Sequence, residues 1–158
     1  MVPETLGNER CLLSWLRFTF ESRLDDLFLV SLVVNQICKH IGLEEVLAYQ
    51  IELCAVEGVT NAIRHAYRSN AGNEVTVVVR FDETRIELEV SDRGVPMPQE
   101  YVARLRTGSQ VLNFDPSDTQ GLPVGGMGLQ IIHEVMDETA YTSDDGVNRL
   151  RMTKLLRS

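Results

Sequence analysis

Residues 57–67 read EGVTNAIRHAY and end a long amphipathic pattern that begins near Leu43. Glu57 and Asn61 are four residues apart in this segment, so both side chains share one face of a helix, and a further step of four reaches His65. An Asn carbonyl oxygen suits Mg²⁺, which takes few protein ligands. A neighbouring Glu can accept a proton from an attacking hydroxyl. The same spacing is common on exposed helices, so this segment alone leaves a structural interpretation open.

The pattern outward from this segment predicts two helices followed by a β-hairpin. Apolar residues recur every three to four positions over residues 22–41 and again over residues 43–67, which is typical of amphipathic helices. Residues 74–91 instead alternate apolar and polar side chains around a turn at 82–84, which predicts two antiparallel strands. Upstream, residues 11–20 contain another alternating stretch that predicts a strand.

The second half of the chain begins with a long irregular stretch. Residues 92–124 have little periodicity and hold four of the five prolines, so they predict a loop of the kind that covers an active site. Residues 129–136 then predict a short helix, and residues 139–142 and 147–155 predict two strands joined at an Asp-Gly turn. The whole order predicts an α+β fold, a two-layer α/β sandwich with helices on one face of a mixed, mainly antiparallel sheet.

Two further short motifs combine glycine with groups that could bind a nucleotide. Asp92 ends a predicted strand, where a carboxylate can accept a hydrogen bond from an exocyclic amine such as that of adenine, and Gly94 would let the backbone approach a flat ligand. Gly126 and Gly128 open a predicted helix, whose free N–H groups and dipole favour phosphate. An ordinary Asp-x-Gly turn and a flexible helix entry are the structural alternatives. The glycines match neither the Walker pattern nor a dinucleotide-binding fingerprint.

The composition limits the classes of function. The 158 residues have the length of one domain, expected over residues 1–158 with a loose N-terminus at residues 1–10. The net charge of −8 disfavours direct binding of nucleic acid. Neither a bilayer-spanning apolar run nor a signal peptide is evident, so a cytoplasmic location away from the membrane is expected. Three cysteines without a close pairing motif fit a reduced protein, with Cys38 and Cys54 as packing residues.

The order of the three polar motifs resembles the GHKL ATPase superfamily, which has the Bergerat ATP-binding fold. Residues 57–67 look like its N box, residues 92–94 like its G1 box and residues 126–129 like its G2 box. The resemblance runs over about residues 12–155. The pattern E-x-x-x-N-A-x-x-H-A-Y, the short chain and the ending Met-Thr-Lys at 152–154 are similar to the anti-sigma-factor serine/threonine protein kinases, the switch kinases of bacterial partner-switching systems.

This resemblance implies a role for each motif residue. Asn61 would bind Mg²⁺, Glu57 would be the general base that deprotonates the acceptor serine, and Asp92 would bind the adenine amino group. Thr153 would support the adenine end, and Gly94 would pack beside the ring. The remaining ATP-binding positions would be Arg64, His65, Gly126, Met127, Gly128 and Leu129.

The segment 97–124 would be the ATP lid on the same resemblance. Arg104 and Arg106 within it would contact phosphate or, in the structural alternative, would be solvent-exposed charges. The chain would transfer the γ-phosphoryl group of ATP to a serine of a STAS-domain antagonist protein, with Mg²⁺ as the metal. It would also sequester a sigma factor or another target and would form a homodimer.

Two other functions are compatible with the same motifs. The first is a non-catalytic, nucleotide-gated protein-binding module, in which every motif serves binding alone. The second is a detached histidine-kinase catalytic domain. None of the three histidines, His40, His65 and His133, sits in a dimerising helix pair, so a phosphohistidine mechanism would have to act in trans.

Overall fold

The computed structural model describes residues 14–108 and 126–157, and these form a layer of helices and a layer of strands. The described strands are β1 (Ser14–Glu21), β2 (Glu74–Phe81), β3 (Arg85–Asp92), β4 (Glu138–Asp144) and β5 (Val147–Leu155). The described helices are α1 (Leu27–His40), α2 (Glu45–Asn61), α3 (Gln99–Thr107) and α4 (Gly126–Val135), with a 3₁₀ turn at Leu24–Asp26 and a π turn at Ala62–Ala66.

The strands form one sheet in the order β1-β2-β3-β5-β4, and every pairing between the described strands is antiparallel. The predicted α+β two-layer sandwich is therefore confirmed, although the mixed character expected for its sheet is not seen in this part of the chain. The register places Asp92, the last residue of β3, directly opposite Asn148 of β5. This pairing brings two polar side chains to the edge of the core.

The core lies between the helices and one face of the sheet. Strand residues alternate between buried and more exposed because successive side chains point to opposite faces. The fully buried residues of the core include Val30, Val34, Cys38, Ile51, Cys54, Val59, Val75, Val77, Val79, Ile86, Leu88 and Met152. Burial raises the pKa of Cys38 to about 11 and that of Cys54 to about 12. Neither thiol ionises near neutral pH, so their prediction as packing residues is confirmed.

The stretch predicted as an irregular loop contains helix α3. It follows Pro98 and ends at Gly108, whose φ of 63° gives it a left-handed conformation typical of a helix C-terminus. Only Val102 and Leu105 of this helix are buried. The prediction was wrong here because a nine-residue helix with two buried side chains leaves almost no periodic apolar signal.

Residues 1–13, 109–125 and 158 lie outside the described part of the chain. They include the N-terminus expected to be loose at residues 1–10 and most of the expected lid at 97–124, so both stay predictions. No helix described over residues 14–108 and 126–157 has the length and apolar character needed to cross a bilayer.

Candidate functional site

A cavity of about 300 Å³ opens where the end of α2, the end of β3 and the start of α4 meet. Its volume lies at the lower end of the range of small-molecule sites, which suits a nucleoside better than a whole nucleoside triphosphate. Asn61, His65, Asp92 and Leu129 all line it. The structure therefore brings together residues from all three of the polar motifs that are far apart in sequence.

A π turn ends the long helix beside this cavity. The Tyr67 N–H donates to the Ala62 carbonyl oxygen at 3.0 Å, a step of five residues, and Arg68 and Ser69 then take positive φ angles of 52° and 60°. The prediction of one regular helix over residues 43–67 was therefore wrong in its last turn, because the wider turn stops the helix at residue 66. His65 still lines the cavity, whereas Arg64 is exposed and lies outside the lining. Such turns recur at functional sites.

Asn61 places a polar group in the cavity that lacks a protein partner. Its Nδ2 is buried and has no hydrogen-bond partner among the described residues. A buried polar atom of this kind costs folding free energy unless something pairs with it. Rotation of the amide presents its oxygen instead of its nitrogen at the same point, and an oxygen ligand is what Mg²⁺ prefers. Asn61 thus fits the predicted metal ligand.

Glu57 lies one helical turn before Asn61, beside the start of α4. It does not line the cavity. Its carboxylate instead lies against Gly128, where any Cβ atom would overlap Glu57 Oε2. Burial raises the pKa of Glu57 above its usual value, and the Arg64 guanidinium opposes that rise. The result is a half-buried carboxylate beside a helix N-terminus, with a raised proton affinity that suits a general base.

Asp92 is the one acidic residue among the described residues that line the cavity, and 9% of its surface is exposed. Its Oδ1 accepts hydrogen bonds from the Gly94 N–H at 2.9 Å and from Asn148 Nδ2 at 2.7 Å. Burial raises the pKa of Asp92, and these two bonds oppose that rise. Both described bonds end on Oδ1, so Oδ2 is the oxygen that remains for a ligand in the cavity.

Gly94 is not among the residues that line the cavity, so its place beside a bound ring stays a prediction. It packs instead on the end of the π turn, where a Cβ atom would overlap the Ala66 carbonyl oxygen. The next residue reinforces this contact, because the Val95 N–H donates to the same carbonyl at 2.9 Å. Glycine is needed at this position to lock the turn after β3 onto the helix end.

Replacing Gly94 with alanine should lower the free energy of unfolding by about 1–3 kcal/mol, the usual cost of forcing an extra methyl group into a tight contact. The matched control is Gly58→Ala, where the new Cβ would lie 3.2 Å from the flexible Met152 side chain and 3.2 Å from Val90 Cγ2. That control should be close to neutral, since a helix also gains from alanine. Urea denaturation of both variants measures the difference, and equal effects would contradict this account of Gly94.

Thr153, a predicted site residue, lies away from Asp92 in the structure. It lies on β5 opposite Glu87, five residues beyond Asn148, which corresponds to about 16 Å along a strand. An odd number of steps also turns its side chain to the opposite face of the sheet from Asn148. The structure therefore does not bring Thr153 to Asp92, and its predicted support of the adenine end stays a prediction. Asn148 is the residue of β5 that lies opposite Asp92.

The sequence analysis assigned no role to Asn148 or Tyr141, and it included Tyr67 only as the last residue of the first motif. The Tyr141 hydroxyl accepts a hydrogen bond from the Met97 N–H at 2.7 Å, and the Tyr67 hydroxyl accepts one from the Arg93 N–H at 2.8 Å. Both tyrosines thus anchor the segment that follows β3. The sequence contains one signal for Asn148. Asparagine is unfavourable in strands, and this asparagine lies two residues before the apolar Leu150, on the same face of the predicted strand.

The remaining predicted positions belong to α4, which was expected to bind ATP, and to α3, whose two arginines were expected to contact phosphate. Leu129 is buried and lines the cavity, whereas Gly126 and Met127 begin α4 but have side chains outside the described part. Arg104 lies 5.0 Å from the centre of the Tyr101 ring, and Arg106 is exposed. Tyr101 lines the cavity but neither arginine does, so the predicted phosphate contacts stay predictions.

Comparison with known families and sequences agrees with this geometry. A family model described as a histidine kinase-like ATPase domain matches residues 20–154. The serine-protein kinase RsbW of Bacillus cereus is 32% identical over 107 residues, covering 68% of this chain and 63% of that protein. The RsbW of Listeria monocytogenes is 30% identical over 108 residues, covering 67% and 64%. The chain thus spans just under two thirds of the length of these relatives.

Solved structures share the fold. A chain of the SiaB–SiaC complex from Pseudomonas aeruginosa matches with a TM-score of 0.61 and 15% identity, covering 94% of this chain and 92% of that one. The nucleotide-free catalytic domain of the histidine kinase ThkA matches with a TM-score of 0.50 and 14% identity, covering 90% and 95%. At these identities the likeness extends to the backbone architecture alone.

Proposed function

The chain belongs to the family of histidine kinase-like ATPase domains, and from this we propose that it is an ATP-dependent serine/threonine protein kinase and anti-sigma-type regulator. The observation that carries the proposal is that Asn61 and Asp92, from two separate elements, line one cavity, while Glu57 lies one helical turn before Asn61 and against Gly128. The names of the RsbW relatives support protein serine phosphorylation as the reaction.

Each of these residues has one task in the proposed reaction. Asp92 accepts a hydrogen bond from the adenine amino group, and Asn61 holds Mg²⁺, which neutralises charge on the phosphates when bound. The N–H groups at the start of α4 favour the phosphates through the helix dipole. Glu57 takes the proton from the acceptor serine hydroxyl. The serine oxygen then forms its bond to the γ-phosphorus as the bond to the ADP oxygen breaks.

The proposed partners follow from the same class of kinase. The phosphorylated protein is a STAS-domain antagonist, and the sequestered target is a sigma factor or another regulatory protein. The likeness to a chain of the SiaB–SiaC complex supports an architecture that can hold a protein partner. The net charge of −8 continues to disfavour nucleic acid as a ligand. A cytoplasmic location fits all of these partners.

A homodimer is part of the proposal. Strand β1 is an edge strand, and Trp15 on it is 65% exposed. On the helix layer, Phe28 of α1 is 70% exposed. Exposed aromatic side chains, and a strand edge that no other described strand pairs with, favour association with a second copy.

The test of the kinase is direct. The purified protein is incubated with Mg·ATP and a purified STAS-domain protein from the same organism, and the product is analysed for acid-stable phosphoserine. Phosphoserine on the STAS protein is the expected result. Tight ATP binding with no transfer would instead identify the chain as a nucleotide-gated binding module, and acid-labile phosphate would identify a histidine kinase.

A further inference from the structure

Asn148 does not line the cavity itself, but it donates a hydrogen bond to Asp92, which does. The residue is 2% exposed, and its Nδ2 donates to Asp92 Oδ1 at 2.7 Å and to the Gly94 carbonyl oxygen at 3.0 Å. Its Oδ1 accepts a hydrogen bond from the Ser143 hydroxyl at 2.7 Å. An amide has two N–H donors and one carbonyl acceptor, and all three groups are engaged here. The side chain therefore has one defined orientation and no N–H left for a ligand.

This arrangement fixes the two oxygens of Asp92 in different roles. Oδ1 receives both Asn148 Nδ2 and the Gly94 N–H. A half-turn of the carboxylate only exchanges two equivalent oxygens, whereas any smaller rotation would weaken both of these bonds. Oδ2 is consequently held toward the cavity as a hydrogen-bond acceptor without a competing protein donor among the described residues.

We propose that Asn148 is a positioning residue that makes the site selective for purine nucleotides carrying a 6-amino group, because it fixes Asp92 with Oδ2 facing the base. This inference rests on the proposed ATP-binding function and adds the determinant of base selectivity. An exocyclic amine donates a hydrogen bond to Oδ2. A purine without that amine leaves this acceptor unpaired, and the cost of the unpaired acceptor makes the site select against such a purine.

The residue type suits the task. A serine or threonine hydroxyl at position 148 has a single hydrogen and could satisfy only one of the two acceptors. An aspartate would have no donor and would repel Asp92. Asparagine is unfavourable within strands, so its presence in β5 at a buried position indicates a role that offsets this cost.

The experiment compares ATP with purine riboside triphosphate, which lacks the 6-amino group, by isothermal titration calorimetry with Mg²⁺. The wild-type chain should bind ATP about tenfold or more tightly, the effect expected for a hydrogen bond to a charged group. Asn148→Ala should bring the ratio of the two dissociation constants close to one, mainly by weakening ATP. Both nucleotides bind to the same fraction of folded protein, so a general loss of stability weakens both equally and does not change the ratio of the dissociation constants.

A matched control removes a similar hydrogen bond elsewhere. Asn35 Nδ2 donates to Glu52 Oε2 at 2.7 Å between α1 and α2, so Asn35→Ala should keep the wild-type ratio. If Asn148→Ala does not fold, Asn148→Thr takes its place, with an intermediate ratio expected. A wild-type ratio near one, or a folded position-148 variant with the wild-type ratio, overturns the role of Asn148 and leaves the ATP site intact. Failure of the wild-type chain to bind either nucleotide overturns the proposed function itself.

Discussion

Replacing Glu57 with glutamine is expected to reduce phosphoryl transfer to the STAS-domain protein by about 10²- to 10⁴-fold, the usual contribution of a positioned general base. Glutamine keeps the size and polarity of the side chain beside Gly128 but cannot take the serine proton. ATP affinity should change by no more than about threefold, since Glu57 does not line the cavity. Single-turnover transfer and calorimetric ATP binding, measured on the same preparation, check both parts.

The pH dependence gives this prediction a second readout. Transfer requires ionised Glu57, so the wild-type rate should rise with pH, and burial should place that rise above the usual range for a glutamate. The transfer rate of the glutamine variant should not show this rise with pH. Glu45→Gln is the control, because it makes the same change at an exposed position in the first turn of the same helix. Loss of ATP binding in Glu57→Gln, or transfer at the wild-type rate, would remove Glu57 from its assigned role.

Most of the fold could be predicted because its elements carry strong periodic signals. Val75, Val77 and Val79 alternate because they are buried on one face of β2, and this period of two remains visible although Val78 between them is also apolar and buried. Helix α3 was missed for the opposite reason. It buries only Val102 and Leu105, and its stability depends on contacts with elements distant in sequence.

The sequence groups the site residues whose geometry is local, whereas it does not identify a contact that depends on the sheet register. Asn61 ends α2 and His65 lies in the π turn that continues it, so spacing along the chain grouped the two, and both line the cavity. The partner of Asp92 is instead set by which residue of β5 stands opposite it. Five residues separate the predicted Thr153 from the observed Asn148, and a single-sequence pattern contains no information about that register.

Replacing Asp92 with asparagine is expected to weaken ATP binding by about 10- to 150-fold, equivalent to the roughly 1.5–3 kcal/mol of a hydrogen bond to a charged group. The new side chain would also be able to present an N–H to the adenine amine, a donor facing a donor. Binding of purine riboside triphosphate should change far less. Calorimetry with both nucleotides measures the difference, and equal losses for the two ligands would contradict a contact between Asp92 and the amine.

The same substitution should leave the ligand-free fold as stable as before or more stable at neutral pH. Burial raises the pKa of Asp92, so the unfolded chain releases this proton at a lower pH than the folded chain does. The stability that the protonated group contributes is therefore present at low pH and is lost as the pH rises through the folded-state pKa. Asparagine resembles the protonated form and avoids that loss, so the melting temperatures of variant and wild type should converge as the pH falls. A variant that melts lower at neutral pH would mean that the Asp92 charge stabilises the fold, and the carboxylate would then have a structural reason to be there without any nucleotide.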